Sequence, residues 1–518
     1  MLSENRRIIL NVCATYGRSV YALAVGLFSA RWVLQALGVV DYGIFGLIGG
    51  LTFFISYLNG IVGGAVGRFY AVAVGKESVD YEAGLAECRM WFTTAVFVNT
   101  VIPVALVVCG YPIGVYAIRH WLVIPGDKIA ASIWVWRFVC ASCFVGMVNI
   151  PFQAMYVAKQ LIAELTIYSF VSTTCNAIIV YYMASHANDW LVHYSFWHCL
   201  VVAGPMLIIA VRAVFVFKEC RIVPKFILCW KNIREVGSFG LWTSWGGFGT
   251  LLSMQGQALL VNRYFGPKVN AAFTVGTNLS GQCNTLAGSM IGAFSPAIYN
   301  AWGAGMYERA RQLATCASKF GTLFVMLFAL PLSLEIREVL AIWLGDVPTY
   351  AAELCVCVLV TNIIDKASVG QMLTVNANGI VAVYQAFLGT ALVATLPIGW
   401  LLIKCDVGPC SIGFSLIITM VICSIGRALL ARRLVGMSAR LWLCQVIFPL
   451  SLVALPSLAA GFLPRVFLRE SVIRVVITTL SVEIVLLPLS WRVLLTLTER
   501  QYICSRLRLV LNRLKRVE

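Results

Sequence analysis

Arg18 stands near the middle of an apolar run, Ile8 to Leu37, on a helical face shared with Asn11, Ala14, Thr15, Ala22 and Ser29. At 3.6 residues per turn these positions form one polar or small stripe on a helix otherwise rich in Val, Leu and Phe. A cation at bilayer depth costs roughly 2.5–3.5 kcal/mol on insertion scales, so membrane helices rarely keep one without a use. Two uses fit: holding an anion, best a phosphate, or pairing with a carboxylate or carbonyl that only joins helices. Asp365 and Lys366 raise the same choice. Asp365 shares a face with Thr361 and Ser368 in the tenth apolar span, giving either an ion-coupling site or a salt bridge between helices. Hydroxyls and amides cluster elsewhere. Thr250 and Gln257 line one face of the seventh span with Thr243, and Asn278 and Thr285 line one face of the eighth with Thr274 and Ser289. Arginine for phosphate, and Asn, Gln and Thr for sugar hydroxyls, together suit a substrate with an anionic head and a sugar body.

Other chemistry is not encoded. Gly75-Lys76 lacks the upstream glycine and following Ser/Thr of a phosphate-binding loop, and neither His-Glu-x-x-His nor Gly-x-Ser-x-Gly occurs. His120, His186, His193 and His198 show no metal-ligand spacing and read as packed or interfacial. Most of the 18 cysteines fall in apolar spans, where Cys behaves as a small hydrophobe. No catalytic residue, metal or cofactor is expected, and the chain is not expected to be an enzyme.

The elements that must position these residues follow from composition. The 518 residues are 60% hydrophobic and 12% charged, with a mean hydropathy of +0.87, which places the chain among polytopic membrane proteins. Windows of about 20 apolar residues recur along its whole length. They predict about 14 transmembrane helices in an all-α fold, the first two over 9–35 and 44–66, the tenth over 350–375 and the last over 472–495. An even count puts both termini on one side. The loop from Lys218 to Arg234 and the tail, with Arg500, Arg506, Arg508, Arg513, Lys515 and Arg516, make that side more than twice as rich in Lys and Arg, hence cytoplasmic. The net charge of +17 is thus a topology signal. No loop is long enough to fold into a nucleic-acid-binding domain. The first apolar stretch is too long for a signal peptide and stays as helix 1.

An internal repeat is visible. Gly38 and Gly266 lie 228 residues apart, and the same offset pairs Phe45 with Phe273, Leu51 with Leu279, Gly60 with Gly288, Gly64 with Gly292, Ala65 with Ala293 and Gly75 with Gly303. Six helices separate the copies, so the halves share one orientation and should be related by an axis along the membrane normal. The expected domains are a six-helix lobe at 1–217, a basic cytoplasmic linker at 218–236, and a second six-helix lobe at 237–433 facing the first across a cleft. Helices 13 and 14 follow at 434–496 and a basic tail at 497–518. Gly60, Gly63, Gly64 and Gly67 of helix 2 suggest tight helix packing.

Several segments together resemble the bacterial polysaccharide-unit flippases of the Wzx type, in the superfamily that also holds multidrug and toxin extrusion antiporters. They are Arg31-Trp-Val-Leu-Gln-Ala-Leu-Gly38 with Asp41-Tyr42-Gly43, Gly67-Arg68-Phe69, Gln255-Gly256-Gln257, Asn262-Arg-Tyr-Phe-Gly-Pro267, Val269-Asn-Ala-Ala272, Trp343-Leu-Gly345, and Asn378-Gly379 with Tyr384. The resemblance implies two six-helix lobes that move a lipid-pyrophosphate-linked oligosaccharide outward across the bacterial inner membrane by alternating access. Polysaccharide polymerase or glycosyltransferases are the implied partners. Transmembrane arginines are the family's usual anion contacts, which Arg18 and Arg31 match. Helices 2 and 8, as read here, lack the further cations that related flippases carry. Membrane potential alone would favour outward movement of two negative charges by roughly 4–5 kcal/mol per 100 mV. Two competing readings are a cation-coupled multidrug exporter of the same fold, which needs carboxylates in the cleft, and a non-transporting scaffold for glycosyltransferases.

Overall fold

The computed structural model describes residues 2–495 and Arg500, except 51–52, 121, 123, 187–189, 228 and 345–346. Some side chains within helices, those of Arg31 and Thr285 among them, also lie outside the described residues, as does the basic tail over 501–518. The described elements are helical, with no strand among them. They are α1 (Leu2–Gly50), α2 (Phe53–Glu77), α3 (Tyr81–His120), α4 (Ile129–Ala158), α5 (Ile162–Ala184), α6 (Leu191–Val216), α7 (Trp230–Gly303), α8 (Tyr307–Leu334) and α9 (Ile336–Leu344). α10 (Ala351–Ala367), α11 (Val369–Asn378), α12 (Ala382–Val393), α13 (Thr395–Lys404), α14 (Ser411–Val435), α15 (Ala439–Trp442), α16 (Phe448–Phe467) and α17 (Val472–Leu489) complete the chain. Nine helical stretches among the described residues are long and apolar enough to cross a bilayer. Helices satisfy every backbone group internally, the condition that lipid imposes. The chain is an all-α polytopic membrane protein.

Contacts divide it into two compact units, Met1–Ser244 with Gly292–Ala310, and Trp245–Ile291 with Arg311–Glu518. In the first unit, the helical run of α1 cannot be straight. Asn11 donates to the Gln160 carbonyl and Glu77 pairs with Lys159, both at the end of α4, whereas Asp41 pairs with Lys128 at the start of α4. The chain therefore runs out and back between residues 11 and 77, a stretch that would cover about 100 Å as one helix at 1.5 Å per residue. The reversal lies close to Asp41, between the first two expected spans. α7 has the corresponding break at Gly266, whose φ of 79° and ψ of −180° interrupt the helix, a conformation open to glycine.

The 228-residue offset also marks a contact. A Cβ on Gly303 would lie 2.0 Å from the Val72 carbonyl oxygen, and a Cβ on Gly75 would lie 2.1 Å from the Asn300 carbonyl oxygen. Val72 and Asn300 are themselves 228 residues apart. Residue i meets the copy of j while j meets the copy of i, the reciprocity of a two-fold contact. Of the earlier glycines, a Cβ built at Gly63 would meet Ile150 at 3.7 Å, an ordinary contact, and nothing among the described residues comes within 4 Å of one built at Gly60, Gly64 or Gly67. Close approach in α2 occurs instead in its last turns.

In the second unit, the span expected at 350–375 is two helices, α10 and α11, meeting at Ser368. The carbonyls freed there are taken by side chains: Arg427 donates to Asp365 O at 3.2 Å and Trp442 to Ala367 O at 2.8 Å. α16 and α17 pack on α8 through Met326, Leu330, Leu450, Val453, Val482 and Leu486. At one end, Arg474 grips the buried Glu335 carboxylate at 3.1 and 2.8 Å, and Thr478 donates to its other oxygen at 2.9 Å.

Candidate functional site

The polar stripe of α1 divides into two uses. Asn11 is buried, donates to Gln160 O at 3.0 Å and accepts from the Ala163 amide at 3.1 Å. Thr15 donates to Asn11 O at 2.7 Å, and Tyr21 meets Thr174 of α5 at 2.7 Å. Asn11, Thr15 and Ser29 are buried, and the first two are bound up in α1 and its junction with α5. Arg18 differs: it is half-buried, flanked by half-buried Ala14 and exposed Ala22, and takes no hydrogen bond or ion pair among the described residues. The Arg31 side chain lies outside the described residues.

A second cation emerges on α2. The apolar window ended at Val66, yet α2 continues to Glu77 and so contains Arg68, which is buried. Its guanidinium lies 4.7 Å from the Phe69 ring centroid and 5.1 Å from that of Phe239, a stacking that desolvated arginine favours. Helix 2 therefore does carry a cation, contrary to the expectation above. The signal was present in Gly67-Arg68-Phe69, but hydropathy placed it in a loop.

Of the residues expected on the seventh and eighth spans, Thr250 is exposed and turns its hydroxyl to Gly246 O at 3.1 Å, and Asn278 is exposed. Gln257 is wholly buried, and its amide nitrogen donates to Thr395 O and Ser415 Oγ, both at 2.9 Å, which ties α7 to α13 and α14, while its Oε1 accepts no hydrogen bond among the described residues. Thr285 lies outside the described side chains.

Asp365 and Lys366 do come together, with a third group missed in the sequence. Asp365 pairs with Lys366 at 2.7 Å and with Arg427 of α14 at 2.8 Å. Arg427 also donates to Ser368 Oγ at 3.1 Å, and Ser368 meets Ser424 at 2.9 Å. One carboxylate answers two cations, so Asp365 is compensated within the fold. Arg427 follows the same rule as Arg18, a cation inside an apolar span. Its partner stands 62 positions away and is not readable from local pattern.

A further ionic cluster closes the end of the first unit. Lys159 pairs with Glu77 at 2.7 Å and Glu219 at 2.5 Å. Burial disfavours the charged forms of Glu219 and Lys159. The pairing outweighs it, holding Glu219 below the usual carboxylate range and Lys159 above the usual ammonium value.

No protein-family model and no curated protein matches the sequence. Solved structures do match the fold. A MATE in the bent conformation aligns with a TM-score of 0.70 at 14% identity. An outward-facing multidrug resistance MATE family transporter of the MOP superfamily aligns at 0.67 and 13%. A MOP superfamily transporter from Pyrococcus furiosus, whose binding pocket is described as having reverse polarity that suggests a different function, aligns at 0.65 and 13%. Each alignment covers 84% of this chain and 96% of the other. At such identity the likeness is one of fold.

Proposed function

We propose that the chain is a transporter that moves a lipid-linked, pyrophosphate-bearing oligosaccharide from the cytoplasmic to the outer face of a bacterial inner membrane. The observation that carries this reading is Arg18, a half-buried guanidinium without a hydrogen bond or ion pair among the described residues. An uncompensated cation at that depth is stabilised by a phosphate more than by any neutral cargo. The exposed Thr250 and Asn278 supply sugar-type contacts. The Lys and Arg bias of the loops supports cytoplasmic termini, and the membrane potential supplies a drive for an anionic head group.

A second reading, cation-coupled multidrug export, is favoured by the names of the solved neighbours. It asks for free carboxylates in the two expected six-helix lobes, where Asp365 is held by Lys366 and Arg427, and Glu164 is held by Arg212. Replacing Arg18 separates the readings. Arg18→Ala is expected to abolish surface-polysaccharide export at unchanged protein level, and Arg18→Lys to restore only part of it, because lysine keeps the charge and loses the paired hydrogen bonds. Normal export by Arg18→Ala, or unchanged export together with lost resistance to cationic dyes, would refute the lipid-pyrophosphate reading.

A further inference from the structure

Two carboxylates stand well inside apolar spans, Asp365 and Glu483. Asp365 is compensated twice over. Glu483 is the central residue of the 23-residue span Val472–Leu494, about 16 Å from either end at 1.5 Å per residue. It is half-buried, with no hydrogen bond or ion pair among the described residues.

The geometry around it explains why nothing reaches it. α17 turns Arg474, Thr478, Val482 and Leu486 into the unit and presents Leu480, Ile484 and Leu487 outward. Glu483 lies on the flank between these faces. Thr479, its neighbour on that flank, spends its hydroxyl on Val475 O at 2.8 Å. The charged groups of the packed elements gather at the two ends. Glu335, Glu338 and Arg465 surround Arg474, nine residues and about 13 Å away along the helix. Lys319 of α8 donates to Leu494 O at 3.4 Å at the opposite end. Arg492 is exposed beyond the span's middle, at that same end. Among the described residues, therefore, no cation is placed to balance an ionised Glu483.

We propose that Glu483 is a proton-binding site of the transport cycle, taking a proton from water to form a neutral carboxylic acid and returning it when the carboxyl is next wetted. An ionised carboxylate at mid-membrane is expensive, and forming the O–H bond removes that cost without any protein partner. The proton is the ligand, and no other reactant is needed. The inference rests on the chain being a transporter and is indifferent to its cargo.

Two measurements on the full-length protein test it. Dicyclohexylcarbodiimide, which enters lipid and modifies protonated carboxyls, is applied to native membranes at a series of pH values, and modified residues are found by peptide mass. Glu483 is expected to be labelled and Asp365 not. Labelling should fall about tenfold per pH unit on the alkaline side of the titration, as for a single proton. The pH profile of surface-polysaccharide export is then compared for wild type, Glu483→Gln and Glu483→Asp. The glutamine variant should lose the pH dependence, and the aspartate variant should keep it with a shifted midpoint. Absent or pH-independent labelling overturns the inference. So does labelling that appears only after purification, which would mean that a partner helix covers Glu483. An unchanged pH profile in Glu483→Gln overturns it too and leaves the Arg18 reading standing. If Arg18→Ala exports normally while Glu483 titrates, the cargo assignment fails and the proton site stands.

Discussion

Gly303→Ala tests whether the reciprocal crossing is a close contact that the first unit depends on. The new Cβ would sit 2.0 Å from Val72 O, where ordinary contact begins at 3.4 Å, so the segments must part by about 1.4 Å, the difference of those distances. Overpacking of this size typically costs 1–3 kcal/mol. Gly75→Ala demands nearly the same gap, since its Cβ would lie 2.1 Å from Asn300 O. Because one separation relieves both clashes, Gly75→Ala with Gly303→Ala should cost about as much as either alone, a coupling of roughly 1–3 kcal/mol. Thermal unfolding of the purified full-length protein, run on both single variants and the double, reads that pattern. The single variants should lose stability equally and the double no more than either. Additive losses would show that the two glycines do not share one crossing, and no loss in either single variant would refute the close approach itself.

Two further outcomes follow from the ionic clusters. Glu219→Gln removes a charged partner of Lys159 and should cost about 1.5–3 kcal/mol at neutral pH. Glu219 is held below its ordinary 4.5, so its contribution is present above that value and lost as pH falls through the lower folded value. Lys159 is held above its ordinary 10.5, so its share is present below that value and lost as pH rises through the folded one. The stability gap between wild type and Glu219→Gln should therefore be flat between about pH 5 and 10 and shrink below pH 4.5, and a gap that widens on acidification would contradict the pairing. Asp365→Asn leaves Lys366 and Arg427 buried without their carboxylate and should destabilise by about 3–5 kcal/mol; adding Arg427→Gln should recover part of the loss, and wild-type stability for Asp365→Asn would sink the triad as a structural element.

Much of the fold was legible because lipid simplifies the code. Composition alone yields helices of about 20 residues, and the Gly38–Gly266 offset anticipated both the reversal near Asp41 and the break at Gly266. The offset reached further than expected, since it also relates Val72 to Asn300 at the glycine crossing. Ends of helices were less legible. Hydropathy falls where polar residues begin, so it stopped the second span at Val66 although α2 carries on to Glu77 with Arg68 buried inside it. The span at 350–375 hid a break at Ser368, because the side chains that satisfy its free carbonyls, Arg427 and Trp442, lie far along the chain.

The site was legible as charges and not as pairings. A helical stripe reports which side chains share a face, but not what that face meets. Asn11 and Arg18 share one, yet Asn11 is tied to the α4–α5 junction while Arg18 takes no partner among the described residues. Asp365 reads as a coupling residue because Thr361 and Ser368 share its face, yet Ser368 belongs to a network with Arg427 and Ser424, and Thr361 spends its hydroxyl on Cys357 O. Glu483 is not marked by local pattern, because no other charge stands within eight residues of it in sequence and its helix lies outside the repeat. That setting is what leaves it uncompensated. At bilayer depth a charge answered inside the fold serves the fold. Arg18 and Glu483 are of opposite sign and neither is answered among the described residues, which is the ground on which an anion is proposed for the first and a proton for the second.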